Sequence, residues 1–427
     1  MIRQTKPGQN DEQTEDLFMD KVKKIGVIAD DFTGASDAAS FLSKSGALVI
    51  MCSEIPKHLD EPCDAIVVAL KSRSVLPKEA VRQTKKAVDF LRQAGCEQFY
   101  FKYCSTFDST PKGNIGVVLD FLLDYLGENH CVLCPSLPVN GRIVKDGMLY
   151  VNGKKLSESP MKDHPLNPMW DSFIPNLMKP QSNHECCLFH TKEGDEHAVK
   201  SLMDNHQEKY YIVPDYIDDE DGKKIAALFG EDNLLSGGSG LLQFLYKGDS
   251  HQKTENTEKS NKRAILLCGS CSQATKGQID CYKASGGKVY AVNAEDLLSK
   301  KTSAEAVFDW VIQQESPVLI YSDAAYKDMQ QLRCRSSFES SSKALEKFMA
   351  ALSTYAVAAD FDRIIVAGGE TSGAVTKALG FDSYYIGTSI DPGVPILRPL
   401  QKQELTLILK SGNFGSTEFF EKAVLTV

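Results

Sequence analysis

Between Arg363 and Gly380 the chain reads RIIVAGGETSGAVTKALG, a stretch that admits little besides a strand, a glycine turn and a helix. Ile364 to Ala367 is a short, continuous apolar run, the pattern of a strand buried on both faces of a parallel sheet. Gly368 and Gly369 end it. After Glu370, Thr371 and Ser372, the apolar residues Ala374, Val375, Ala378 and Leu379 recur at helical spacing, and Gly380 stands where a helix stops on a left-handed residue. Such a turn aims free backbone N–H groups and the positive end of a helix dipole at one point, which suits an anion. A plain βα turn that binds nothing has the same outline, and the stretch is neither a Walker A loop nor a GxGxxG.

The same alternation of short apolar runs, polar turns and amphipathic helices recurs along the whole chain, so the expected class is α/β. At 427 residues the chain exceeds one ordinary core. Lys247 to Lys262 (KGDSHQKTENTEKSNK) holds no apolar residue and reads as the boundary. The expected layout is a polar leader at 1–20, a first domain at 21–246, the linker at 247–262 and a second domain at 263–427. Each domain is expected to be a mostly parallel sheet flanked by helices in three Rossmann-like layers. A net charge of -9 gives no footing for nucleic acid. No apolar run reaches the length of a membrane span and no signal-peptide core opens the chain, which points to the cytoplasm and away from a membrane. The twelve cysteines include two CxxC pairs, Cys131/Cys134 and Cys268/Cys271. The first pair falls in a strand-like run, where positions three apart face opposite sides, so buried reduced thiols are expected rather than zinc.

Residues suited to chemistry gather at strand ends. KIGVIA (24–29) runs into Asp30 and Asp31, then a helix stopped near Gly46. Two adjacent carboxylates at the end of a first parallel strand sit where open α/β sheets place ligands. They suit proton transfer from a hydroxyl or the binding of polyol hydroxyls, although helix capping accounts for one of them. Asp64 to Leu70 ends in Lys71-Ser72-Arg73, and Arg73 can fork onto a carboxylate. Gln98 to Gly116 passes from a strand through Lys102 into a loop carrying Asp108, Ser109 and Asn114, rich in groups that hydrogen-bond one polar ligand. Arg142 is a second cation for an anion, and His164 lies in a proline-punctuated loop near these. In the second domain, Ser270 sits where a helix begins after the strand Ala264–Leu267. Gly412 lies in another glycine loop after Leu405–Leu409, so three such turns could converge on a nucleotide.

The motifs ADDFTGASD, FKYCSTFDSTPKGNIG, PVNGR, HPLNPM, GGSGL, GSCSQAT, GGETSGAV, DPGVP and LKSGNFG, taken together and in this order, resemble the four-carbon acid sugar kinase family from about Lys24 to the C-terminus. The resemblance implies a first domain that binds a small-molecule sugar acid and a second that binds ATP with Mg²⁺. It further implies transfer of the γ-phosphoryl group to the 4-hydroxyl of a 3-dehydrotetronate, with a related tetronate (threonate or erythronate) as the alternative. Asp30, Asp31, Arg73 and the Lys102–Asn114 loop would face the acid. Ser270, Gly368, Gly369, Glu370, Thr371, Ser372 and Gly412 would face ATP. By position, Asp31 is the expected proton acceptor and Asp30 its support. Ile396 departs from the family, where tryptophan is common. The metal ligands and a homo-oligomeric state stay open at this stage. A nicotinamide oxidoreductase would need a GxGxxG with a downstream acid, which is missing. A non-catalytic sugar-acid sensor would have lost the glycine turns of the second domain, which are intact.

Overall fold

Strand Ile25–Ala29 (β1) shows why the sheet must be covered on both faces. Every residue in it is buried, with Val27 and Ala29 entering one hydrophobic cluster and Ile28 the other. In the computed structural model, residues 22–163, 167–251, 263–270, 272–315, 317–322 and 335–426 are described. The leader, His164, Cys271 and most of the linker lie outside them.

The first half adds β2 (Val49–Cys52), β3 (Ala65–Ala69), β4 (Gln98–Lys102) and β5 (His130–Cys134). A small antiparallel ribbon follows, of β6 (Arg142–Lys145), β7 (Met148–Val151) and β8 (Lys154–Lys155). It turns at Asn152 and Gly153, both at positive φ, as an Asn-Gly turn demands. β9 (Glu185–Phe189), β10 (Tyr210–Pro214) and β11 (Leu234–Gly237) complete this half. The second half holds β12 (Ala264–Cys268), β13 (Lys288–Val292), β14 (Val318–Ser322), β15 (Arg363–Ala367), β16 (Ser383–Asp391), β17 (Val394–Pro399) and β18 (Thr406–Lys410).

Two parallel arrays result. One runs β13-β14-β12-β15-β18 and the other β2-β3-β1-β4-β11-β5-β10-β9, as the alternation of strand and helix implies. The sequence gives no warning of how they meet. β16 and β17 form an antiparallel hairpin that pairs with β18 on one side and with β2 on the other. Among the described residues, fifteen strands therefore make one continuous sheet. The first helix, Phe32–Lys44, packs on this hairpin, where Ser40 Oγ meets Ser389 Oγ at 2.7 Å. Ala35, Ala38 and Ala39 are fully buried, and their small side chains let the helix lie close to the strands. Ile396 is buried inside the hairpin, 3.0 Å from where a Cβ on Gly387 would sit. Cys131 and Cys134 enter different hydrophobic clusters, on opposite faces of the sheet, both fully buried, and burial pushes both thiols up.

Candidate active site

At the end of β1 the two carboxylates are held by a single arginine. Asp30 is buried, and Arg73 donates to it from Nε at 2.8 Å and from Nη2 at 2.7 Å. Arg73 Nη1 also reaches Asp31 Oδ2 at 2.9 Å. Asp31 caps the first helix, accepting from the Gly34 N–H at 2.7 Å. Burial pushes the Asp30 carboxyl up, and the Arg73 guanidinium acts against it. Arg73 is therefore committed to the two acids, where the sequence placed it facing a substrate carboxylate.

Beside this pair is a small hollow lined by Asp30, Ser72, Arg73, Phe101, Asp108, Ser109 and Asn114. Two polar atoms of these lining residues, Ser72 Oγ and Asn114 Oδ1, are buried without a partner. A polyol hydroxyl can donate to Asn114 Oδ1, and can donate to or accept from Ser72 Oγ. The rest of the loop is largely self-satisfied. Asn114 Nδ2 donates to Ser72 O at 2.8 Å and Val75 O at 2.9 Å, Ser109 donates to Gln181 Oε1 at 3.1 Å, and Asp108 accepts from Thr106 at 2.7 Å. Phe107 in the same loop is fully buried at φ 51°, a left-handed conformation costly for an aromatic residue. Lys102 is buried and donates to Tyr103 O at 3.0 Å. Arg142 donates to Asn140 O and keeps a buried Nε without a partner.

One acid of this neighbourhood escaped the sequence reading. Asp37, on the first helix, is only 7% exposed. Ser239 Oγ donates to its Oδ2, while its Oδ1 is buried without a partner. Burial pushes its carboxyl up, with Lys102 and then Ser239 acting against the rise. Position on the helix does not flag it, because Ala35 and Ala39 lie two residues away across the axis and every residue from Gly34 to Ser43 is buried.

In the second half the glycine turns do converge, because β12, β15 and β18 are neighbours and end together. Gly368 has φ +123° and a Cβ there would stand 3.1 Å from Ser270 N. A Cβ on Gly412 would stand 2.5 Å from Ser270 Oγ. Gly412 O accepts from Ser272 Oγ at 2.5 Å and Thr275 Oγ1 at 2.8 Å, which locks this loop to the helix Gln273–Ala284. Thr371 Oγ1 lies 2.1 Å from a Cβ on Gly269, so Thr371 belongs to the same knot. A Cβ on Gly369 meets nothing within 4 Å, and the space above the first turn of the helix Gly369–Leu379 is open. Glu370 on that turn is exposed, and Ser372 is buried with its Oγ unpartnered.

The two halves share one cleft. Phe32, Thr33 and Ser36 of the first helix face Gly369, Ser372, Gly393, Lys410 and Ser411. Residues 25–245 match the family described as sugar-binding N-terminal domain, and residues 265–420 the nucleotide-binding C-terminal domain. The 3-oxo-tetronate kinase of Brucella melitensis is 39% identical over 415 residues, which is 94% of this chain and 95% of that protein. The chain belongs to the 3-oxo-tetronate kinase family. The 3-oxo-tetronate kinase of Escherichia coli K12 is 38% identical over 86% of this chain and 98% of its own. A crystal structure from Salmonella typhimurium gives a TM-score of 0.84 at 38% identity, over 93% of this chain and 98% of that one. One from Haemophilus influenzae gives 0.80 at the same identity and coverage.

Proposed function

We propose that this chain is a kinase that transfers the γ-phosphoryl group of ATP to the 4-hydroxyl of 3-oxo-tetronate. The observation that carries the reading is the shared cleft. A glycine-opened helix N-terminus from the second half faces the start of the first helix, next to the hollow lined by buried polar groups of the first half. Phosphoryl transfer asks the protein mainly for positioning and charge neutralisation, and both are supplied here by residues of opposite halves. Residues 21–246 hold the sugar acid in this reading, and residues 263–427 hold ATP.

On the acid's side, Ser72 and Asn114 bind hydroxyls through their unpartnered atoms, and Asp108 and Ser109 close the hollow. Lys102 and Arg142 supply positive charge for the carboxylate, which Arg73, already forked onto Asp30, cannot do alone. Asp30 and Asp31 hold the end of β1 and the first helix in register. On the nucleotide's side, Ser270, Thr371 and Gly412 fix the shape of the loops, and Gly368 and Gly369 let the backbone approach phosphates. Mg²⁺ would accompany ATP and supply charge neutralisation at its phosphates. Asp30 and Asp31 are occupied by Arg73, so the carboxylate suited to the ion's water shell is Glu370, which is exposed and met only by Ser342 Oγ at 3.5 Å among the described residues. ATP supply places the reaction in the cytoplasm.

The direct test is ADP release over tetronates, threonates, erythronates and their 3-keto forms, where the 3-keto acid should give the highest kcat/KM. A clear preference for a saturated acid would move the substrate assignment, and no ADP release with any would overturn the reading. The nucleotide half has its own test. Because a Cβ fits at Gly369 in the protein alone, Gly369→Val should fold normally and yet block the phosphates. The ATP KM should rise at least about tenfold, with the sugar-acid affinity unchanged. Unaltered ATP kinetics would remove this turn from the site.

A further inference from the structure

Lys410, the last residue of β18, is among the least accessible side chains of the protein at 1% exposure. Its Nζ donates to Thr275 Oγ1 at 3.0 Å, Ser411 O at 3.2 Å and Gly412 O at 3.3 Å. The Phe419 ring lies 5.6 Å away on another side. Among the described residues no carboxylate lies within ion-pair distance, so a full positive charge is buried against neutral groups. Such a charge is costly unless an anion arrives to meet it.

Lys410 also lines the shared cleft, and two further features converge there. Ser36 and Ser372 each line it from opposite halves, each is 3% exposed, and each has an Oγ without a partner. Two helices of full length begin at its walls, Phe32–Lys44 and Gly369–Leu379, and the first turn of each presents N–H groups that have no partner within the helix. A buried cation, two orphaned hydroxyls and two helix N-termini make a seat for a tetrahedral anion.

Resting on the kinase reading above, we propose that this cleft is the seat of the phosphoryl group in flight, with Lys410 as the residue that neutralises its charge and Ser36 and Ser372 as donors from the two halves. The oxygen of the substrate hydroxyl forms its bond to Pγ as the bond from Pγ to the bridging oxygen breaks. The electron pair of that bond leaves with ADP, and the hydroxyl proton passes to a carboxylate on the first half. Lys410 gives up no proton in the step. It is a catalytic residue, because its ammonium exchanges one of its three neutral acceptors for a transferring oxygen, and its bonds to Thr275 and Gly412 tie the Gly412 loop to the helix that follows Ser270.

The test separates this seat from ordinary nucleotide binding. Lys410→Met should lower kcat by about 10²–10³-fold, the loss typical when one charge-stabilising donor is removed. The KM of the sugar acid should stay within about threefold, since Lys410 acts on the transferring group and not on the acid. Affinity for a non-hydrolysable ATP analogue should fall about tenfold or more while that for ADP hardly moves, because only the analogue fills the seat. Ser36→Ala, which removes an unpartnered buried hydroxyl and so leaves the fold intact, should also lower kcat with ADP affinity unchanged. In the wild type, burial holds the Lys410 ammonium down at about 8, with the Cys268 thiol of β12 as the ionisable group acting the other way. The kcat/KM for ATP should therefore decline above about pH 8, and this limb should vanish in Lys410→Arg. Equal loss of ADP and analogue affinity in Lys410→Met would make the lysine a structural strut. Wild-type kcat and analogue affinity in both Ser36→Ala and Ser372→Ala would equally overturn the seat. If the wild type phosphorylated no acid of the panel, the kinase reading would fall, while the preference for analogue over ADP would still decide whether the seat exists.

Discussion

Arg73→Ala is expected to destabilise the protein by about 3–5 kcal/mol, the usual result of leaving one member of a buried ion pair unpaired. The loss should lie towards the lower end, because the Arg73 side chain is 22% exposed while that of Asp30 is 6% exposed. Its pH dependence gives it a signature. Burial already pushes the Asp30 carboxyl up despite Arg73, and without the guanidinium nothing comparable opposes that rise. A carboxyl whose folded-state pKa is raised binds its proton more tightly folded than unfolded, so the stability it confers is present at low pH and is lost as pH rises through that pKa. Urea unfolding should therefore show Arg73→Ala closest to wild type at about pH 5 and furthest from it at about pH 8. The double variant Arg73→Ala/Asp30→Asn removes the orphaned charge and should recover much of the loss near neutral pH. If the single and double variants unfold alike at every pH, the pair is not what holds the end of β1 to the loop after β3.

The contrast between Arg73 and Asp37 shows what a sequence can carry. Alternation of apolar runs and amphipathic segments was enough for both parallel arrays, because parallel strands buried on two faces leave an unbroken apolar signature, as in IGVIA and AILLC. The glycine turns were legible for the same local reason, and three of them do lie together because β12, β15 and β18 are adjacent. Non-local facts were not legible. The hairpin β16–β17 joins the arrays through pairing between residues far apart in the chain, such as Tyr384 with Met51. Arg73 was rightly placed at a strand end, but its partners were decided by the return of β3 beside β1, which its own neighbours in sequence do not encode. Asp37 lies inside a regular helix, and Lys410 stands at the head of the LKSGNFG loop with neutral neighbours in sequence. Nothing local marks the one as buried against Ser239, or the other as lacking a counter-charge.

Those two residues set the second large expectation, which concerns the proton of the 4-hydroxyl. A general base needs a free lone pair near the cleft and a pKa closer to neutrality than an ordinary carboxylate has. Asp31 fits poorly, since one oxygen accepts from Gly34 and the other pairs with Arg73. Asp37 has an unpartnered Oδ1, its other oxygen is steered by Ser239, and burial pushes it up. It also borders the cleft, with that Oδ1 3.0 Å from where a Cβ on Gly393 would sit. Asp37→Asn should therefore lower kcat by roughly 10²–10⁴-fold with little change in either KM. Asp31→Asn keeps an oxygen that can cap the helix at Gly34 and loses only the charge facing Arg73, so it should have a smaller effect on turnover. The pH profile gives an independent check. Asp37 must be ionised to accept the proton, so wild-type kcat/KM should fall as pH drops through its raised pKa, above the range of ordinary aspartates, and Asp37→Asn should lose that acidic limb. Set against the basic limb assigned to Lys410, the profile should be bell-shaped, with its two sides removable one at a time. Should Asp31→Asn abolish turnover while Asp37→Asn keeps it, the proton goes to the strand-end acid after all. Asp37 would then serve, through its bond from Ser239, to hold the first helix against the loop after β11.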